Sequence, residues 1–231
     1  MTDETPNKQG QRTTITIARQ MGCGGAYVGQ MIARRLGLRY VDREVLHMAA
    51  QALDVEAAAV EASDEKITSF WERLLGGLTF LPPESAYTPP PARTFTDEEL
   101  FRRKVEALKQ IASREDSVVV GYGGNFVLPR HGRAVNLYFH APLGFRVRRV
   151  TEIYKLSGPR EAARMIEESD EMRRRYYARM TDVDWTCANH YHLCIDTSIY
   201  PLPELAERLI RFVERKLGIK QDEGAASQKL L

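Results

Sequence analysis

The segment that most constrains this chain is a short β-branched run, Thr13 to Ala18. It ends at the cluster Gly22-Cys23-Gly24-Gly25 and passes at once into Val28, Met31, Ile32 and Leu36 at helical spacing. Gly37 supplies the stop. The order strand, glycine loop, helix brings consecutive backbone N–H groups into one concavity at a helix N-terminus, where an anion is favoured. Two readings of the loop stand side by side: a phosphate site, or a tight strand-to-helix turn with no ligand. Its position in the first βα unit supports the phosphate site, with Arg19, Gly22, Cys23, Gly24 and Gly25 as the candidate binding residues. A Val at position 24 is then expected to abolish anion binding while sparing the fold. Cys23 lies where a helix N-terminus lowers a thiol pKa, yet the sequence offers it no base partner, so a small space-filling residue is the simpler reading.

A phosphate loop of the usual form carries Lys and then Ser or Thr after its last glycine, the lysine for the β/γ-phosphates and the hydroxyl for Mg²⁺. Here Gly25, Ala26 and Tyr27 follow Gly24. Neither the charge nor the metal ligand comes from this loop, and no metal-binding residue is identified elsewhere.

The rest of the chain repeats the alternation. Leu38 to Asp42 reads as a second short strand, followed by helical pattern from Glu44 to about Leu75. From Asp97 another helix places Leu100, Phe101, Val105, Leu108 and Ile111 on one face and delivers the chain to Ser117-Val118-Val119-Val120, a strand suited to cover on both sides. Ala134 to His140 and His192 to Asp196 complete five strands, with charged helices over about 142–156 and 159–180 between them and a closing helix from Pro203 to Leu217. Short apolar strands alternating with helices predict a three-layer α/β fold with a mainly parallel sheet, in which ligands bind beyond the strand carboxyl ends. Two further turns fall on that edge: Asp42-Arg43-Glu44, where a helix cap is the other reading of Asp42, and Gly121-Tyr122-Gly123-Gly124-Asn125.

A chain of 231 residues with 43% hydrophobic and 28% charged residues is long enough to bury a core without disulfides or structural metal. The expected layout is a flexible leader over 1–12, one domain over 13–218 and a flexible tail over 219–231. A mobile loop is expected over 76–96, where five of the eleven prolines fall. The longest run without Asp, Glu, Lys or Arg is the 14 residues from Gln20 to Ala33, too short and too glycine-rich for a membrane span. The polar N-terminus shows no secretory signal, and three cysteines without paired spacing argue against a disulfide framework or a zinc site, so a cytoplasmic address is expected. The balance of 33 basic against 31 acidic residues gives no reason to expect nucleic acid as a partner.

The helices over 142–182 carry an excess of three positive charges, concentrated at Arg146–Arg149 and Arg173–Arg179. Most arginines of this kind are solvated or paired one turn away, Asp170 with Arg174 for example. Arg149 and Arg173 nevertheless sit at the two ends of a helical hairpin, about 145–185, that is placed to act as a lid, and planar guanidinium forks suit phosphoryl oxygens. Trp185, Tyr191, Tyr176 and Tyr177 read either as a stacking platform for a base or as hinge packing.

Five pieces in order carry a resemblance: Ile15-Thr16-Ile17-Ala18-Arg19-Gln20 with Gly22-x-Gly24-Gly25; Tyr40-Val41-Asp42-Arg43-Glu44; Val119-Val120-Gly121-x-Gly123-x-Asn125-Phe126; Ala141-Pro142-Leu143-x-Phe145-Arg146-x-x-Arg149; and Tyr191-His192-Leu193-x-Ile195-Asp196-Thr197. Together, over about 13–213, they resemble the cytidylate kinase-like family. The resemblance implies a P-loop nucleoside monophosphate kinase fold with a parallel five-stranded core and an arginine-bearing lid. It also implies transfer of the γ-phosphoryl of ATP, with Mg²⁺, to CMP or dCMP. Against the family pattern, Gly25 stands at the place of the phosphate-loop lysine, Tyr122 where the branch often has Arg, and Tyr27 at a position that is often acidic.

Two functions follow. In a kinase, Arg149 and Arg173 are the candidate catalytic residues, Asp42, Arg43, Gly121, Tyr122 and Gly123 the candidate acceptor-nucleotide residues, and nucleotides the partners; a homodimer stays open. In a non-catalytic nucleotide- or phosphate-binding regulator, the missing Lys and Ser/Thr are what one expects. A dinucleotide-binding domain is disfavoured because Tyr27 stands where its third glycine belongs.

Overall fold

The computed structural model describes residues 12–42, 97–128 and 133–219. The expectations for the leader, the helical pattern over 44–75, the Pro-rich loop 76–96, Arg43 and the tail beyond 219 lie outside the described residues.

Five strands form one parallel sheet: β1 (Thr14–Arg19), β2 (Arg39–Val41), β3 (Ser117–Val120), β4 (Ala134–His140) and β5 (Leu193–Asp196), in the order β2-β3-β1-β4-β5. The helices are α1 (Gly25–Leu36), α2 (Asp97–Arg114), the four-residue α3 (Gly124–Val127), α4 (Leu143–Tyr154), α5 (Pro159–Thr181) and α6 (Leu202–Leu217). α1 packs on α6, and this pair covers one face of the sheet. Among the described residues no helix is long and apolar enough to cross a membrane.

The alternation in β1, TITIAR, sorts the two faces. Ile15 and Ile17 join Val118, Val120, Val135, Leu137 and Phe139 against Val28 and Ile32 of α1 and Leu205, Leu209 and Val213 of α6, all of them buried. The other face is partly polar. There the Thr16 hydroxyl donates to Asn136 Oδ1 at 2.9 Å, and the Asn136 N–H donates to His192 Nδ1 at 2.8 Å. Because Thr16 and Asn136 are nearly sealed from water, that bond avoids leaving two polar groups unsatisfied in the core. All four β3 residues are buried, as expected of a strand covered on both sides.

The order of the strands positions the site. β1 is followed through α1 by β2, two places to one side, while the chain after β3 returns to β4 on the other side of β1. In open sheets the ligand crevice lies where the connections part, here beyond the carboxyl ends of β1 and β3, and both glycine-rich turns lie there.

Candidate functional site

The first turn is held at its base by strand chemistry. The Gln20 N–H donates to Phe139 O at 3.0 Å, and Gly24, in the left-handed region at φ 82°, caps α1 without a side chain of its own. A Cβ at Gly24 would meet Leu202 Cδ1 of α6 at 2.5 Å, so the loop presses against the start of the last helix. The expectation that Val at this position spares the fold is therefore corrected: the left-handed backbone and the Leu202 contact both oppose any side chain there. Cys23 is fully buried in the core, and its burial pushes the thiol up to about 11 despite a hydrogen bond from the Gly25 N–H. That environment is the opposite of an activated nucleophile and agrees with the space-filling reading.

The helical hairpin α4–α5 docks on this loop. Met21 packs with Val150 of α4 and with Ala162 and Ile166 of α5. Asp170 of α5 accepts the Met21 N–H on Oδ1 at 2.9 Å and pairs with Arg173 on the same oxygen at 2.8 Å, while its Oδ2 pairs with Arg146 at 2.6 Å. Arg146, itself buried, also donates through Nε to Ala141 O at 3.0 Å. The expected Asp170–Arg174 pair is corrected: Arg174 and Arg175 both bond Glu171 on the exposed side, at 2.7 Å each. Helical spacing gave the wrong partner because Asp170 faces inward, where a loop N–H and two arginines compete for it.

Three arginines converge on the loop. Arg149 donates through Nε to Gly22 O at 3.2 Å. Arg173 has about a quarter of its side chain exposed; burial lowers its pKa, and the nearby charge of Arg19 lowers it further. The Arg19 guanidinium extends across to Gly121 of the second turn. No carboxylate among the described residues pairs with Arg19. Two like charges held in proximity with one carboxylate, itself shared with Arg146, leave an excess of positive charge that an anion would relieve.

The second turn has a different lining. Gly121, Tyr122 and Gly123 all have positive φ, at 93°, 55° and 64°, and the Tyr122 carbonyl accepts the Tyr176 hydroxyl at 3.4 Å. The Tyr122 ring meets Tyr176 edge-on at 6.5 Å, with Lys104 of α2 above its face at 5.6 Å. Below lies an aromatic stack. Trp185 lies parallel to Tyr177 and edge-on to Tyr138, at 5.6 Å from each, and the Tyr191 hydroxyl donates to Trp185 O at 2.6 Å. Tyr177 and Trp185 are almost wholly buried, so these two are packed into the protein and offer no open face to a base. Asp42 stands at the carboxyl end of β2, beside β3 in the sheet.

Sequence reasoning missed Asp170 as the joint between the α4–α5 hairpin and the loop, and Arg146 as its buried partner. The run Ala141-Pro142-Leu143-x-Phe145-Arg146 held the only signal for the latter.

Residues 14–199 match the model of the cytidylate kinase-like family. Among solved structures, an uncharacterized protein from Eubacterium ventriosum superposes with a TM-score of 0.63 at 17% identity, covering 88% of this chain and 99% of that one. A gluconokinase from Sinorhizobium meliloti gives 0.49 at 16% identity, covering 90% and 96%. A shikimate kinase from Acinetobacter baumannii in complex with shikimate gives 0.45 at 15%, covering 89% and 95%. At 17% identity the first of these likenesses is one of fold. No curated protein matches the chain.

Proposed function

The chain belongs to the cytidylate kinase-like family, and from that premise we propose that it transfers the γ-phosphoryl of ATP to a nucleoside monophosphate, CMP or dCMP before others. The observation that carries the reading is the convergence of Arg19, Arg149 and Arg173 on a glycine loop that gives the start of α1 no side-chain cap. Phosphoryl transfer asks little covalent chemistry of a protein. It asks for positioning and for positive charge where charge develops on the transferring group. The loop N–H groups hold the phosphates, Arg149 and Arg173 neutralise the transferring group, and the crevice beyond β3, with Gly121, Tyr122, Gly123 and Asp42, takes the acceptor.

The residues do not fit a magnesium ion held by the protein. Ala26 has no hydroxyl, and among the described residues no group of three His, Cys, Asp or Glu could hold a metal. Magnesium belongs in this reading to the nucleotide substrate, and no step is assigned to it. The reaction would draw on the ATP of the cytoplasm.

The second reading is a nucleotide-binding regulator without turnover, favoured by Ala26 and by the carboxylate of Asp170 already seated between Arg173 and the buried Arg146. A coupled ADP-release assay over all nucleoside monophosphates, with ATP and Mg²⁺, separates the two. Acceptor-dependent ADP release, greatest with CMP or dCMP, is the expected outcome. Binding of nucleotide without release in any combination overturns the kinase reading in favour of the regulator.

A further inference from the structure

Arg19 is the last residue of β1, and its stem crosses the start of α1. A Cβ built at Gly25 would stand 2.9 Å from both Cβ and Cγ of Arg19, closer than unbonded carbons approach. Farther out, the guanidinium Nη1 lies against Gly121, in the space that a Cβ of that residue would fill. One side chain thus spans from the first glycine loop to the second, across the carboxyl ends of the neighbouring strands β1 and β3. Position 25 is where a phosphate loop of the usual form places its lysine. We infer that Arg19 supplies the phosphate-neutralising cation that position 25 lacks, and that residue 25 is glycine because the Arg19 stem fills the room its side chain would need.

The loss of the lysine and the presence of Arg19 are then one change. A side chain at 25 would meet the Arg19 stem at both Cβ and Cγ, so in this fold a lysine at 25 and the arginine at 19 compete for the same volume. The guanidinium has no carboxylate partner among the described residues, and the neighbouring Arg173 shares its field, so its complement is an anion of more than one charge. A di- or triphosphate chain fits, since a fork of donors can bridge oxygens on adjacent phosphoryl groups. The inference rests on the phosphate-site reading above and names the source of its charge.

A double-mutant cycle on the full chain tests it, with calorimetry against inorganic tripolyphosphate and against ATP, and with thermal melting of the same proteins. Arg19→Ala should weaken both ligands about 10- to 100-fold, the range of one charge-assisted contact. Gly25→Ala removes no charge, yet it should weaken binding about 10-fold and lower Tm, because it displaces the Arg19 stem. In an Arg19→Gly background, which removes both the Cβ and the Cγ that a residue-25 side chain would meet, the same Gly25→Ala change should be neutral in both readouts, and Gly25→Lys should recover at least 10-fold of the lost affinity. Arg19→Ala within twofold of wild type, or a Gly25→Ala effect that is equal in both backgrounds, overturns the inference, as does a wild type that binds no tripolyphosphate. Binding with the full coupling pattern but no turnover leaves the inference standing and removes the kinase reading. Turnover with an indifferent Arg19→Ala variant does the reverse.

Discussion

The two glycine turns at the carboxyl ends of β1 and β3 look alike in sequence and lie on the same edge of the sheet, yet the first is lined by arginines and the second mainly by aromatic rings, with the Arg19 guanidinium reaching from one to the other. The first has Arg19, Arg149 and Arg173 around it, while the second has Tyr122, Tyr176 and Tyr177. A single helix makes much of the difference. α5 presents Asp170 and Arg173 to the first turn and, one helical turn on, Tyr176 and Tyr177 to the second. A glycine turn by itself does not define a phosphate site; the side chains that neighbouring elements bring to it do.

The largest expected effect separates the two turns by chemistry. Arg149→Ala and Arg173→Ala should each cut turnover by roughly 10³, the scale of an arginine finger, with nucleotide affinity changed far less, because charge on the transferring group develops only during reaction. Lysine should rescue only in part, since it keeps the charge and loses the fork. Steady-state kinetics beside calorimetry would check this, and equal losses in kcat and affinity would refute it.

Next comes the joint between the α4–α5 hairpin and the loop. Asp170→Asn keeps an oxygen for the Met21 N–H but strips the partner charge from Arg146 and Arg173. With these groups largely shielded from water, the cost should be about 3 kcal/mol in denaturant unfolding. A variant as stable as wild type would show that the hairpin is held by the Met21, Val150 and Ile166 packing alone.

Cys23 gives a pH test of how dry the first turn is underneath. Its folded pKa is raised by burial to about 11, against 9.0 for the free thiol. The unfolded chain therefore gives up this proton first. The stability it contributes is whole below pH 9 and is lost between pH 9 and about 11, on the order of 2 kcal/mol. Urea unfolding of Cys23→Ala should lack that part of the alkaline decline. An unchanged decline would place its cause elsewhere.

The smallest effect compares the two capping glycines. Gly24 and Gly123 both precede a helix in left-handed geometry, but a Cβ at Gly24 strikes Leu202 at 2.5 Å while one at Gly123 finds only Tyr177 at 3.7 Å and Tyr176 at 3.9 Å. Gly123→Ala should cost about 1 kcal/mol, the strain alone, and Gly24→Ala clearly more. Equal costs would mean that Leu202 yields freely.

Much of this was legible in the chain because it is local. The run Thr13–Ala18 with its glycines, the three valines of β3 and the stop at Gly37 each carry their own signal, and each element stands within a residue or two of its expected place. β1 runs on to Arg19, and α3, at four residues, is too short to show a period. The parts that were not legible are long-range. Asp170 reads as a helix-surface carboxylate until α5 is folded back over Met21, 149 residues earlier in the sequence. Gly25 reads as a lost lysine until the stem of Arg19 is seen to occupy its space. Pairing at i+4 is a property of one helix, whereas both of these contacts are properties of the crevice.

The most direct test of the central claim is label transfer: wild-type protein with γ-³²P ATP, Mg²⁺ and each nucleoside monophosphate, products separated by chromatography. The account predicts labelled nucleoside diphosphate, formed fastest from CMP or dCMP and reduced about a thousandfold in Arg173→Ala. Nucleotide bound in calorimetry with no labelled diphosphate from any acceptor would contradict it.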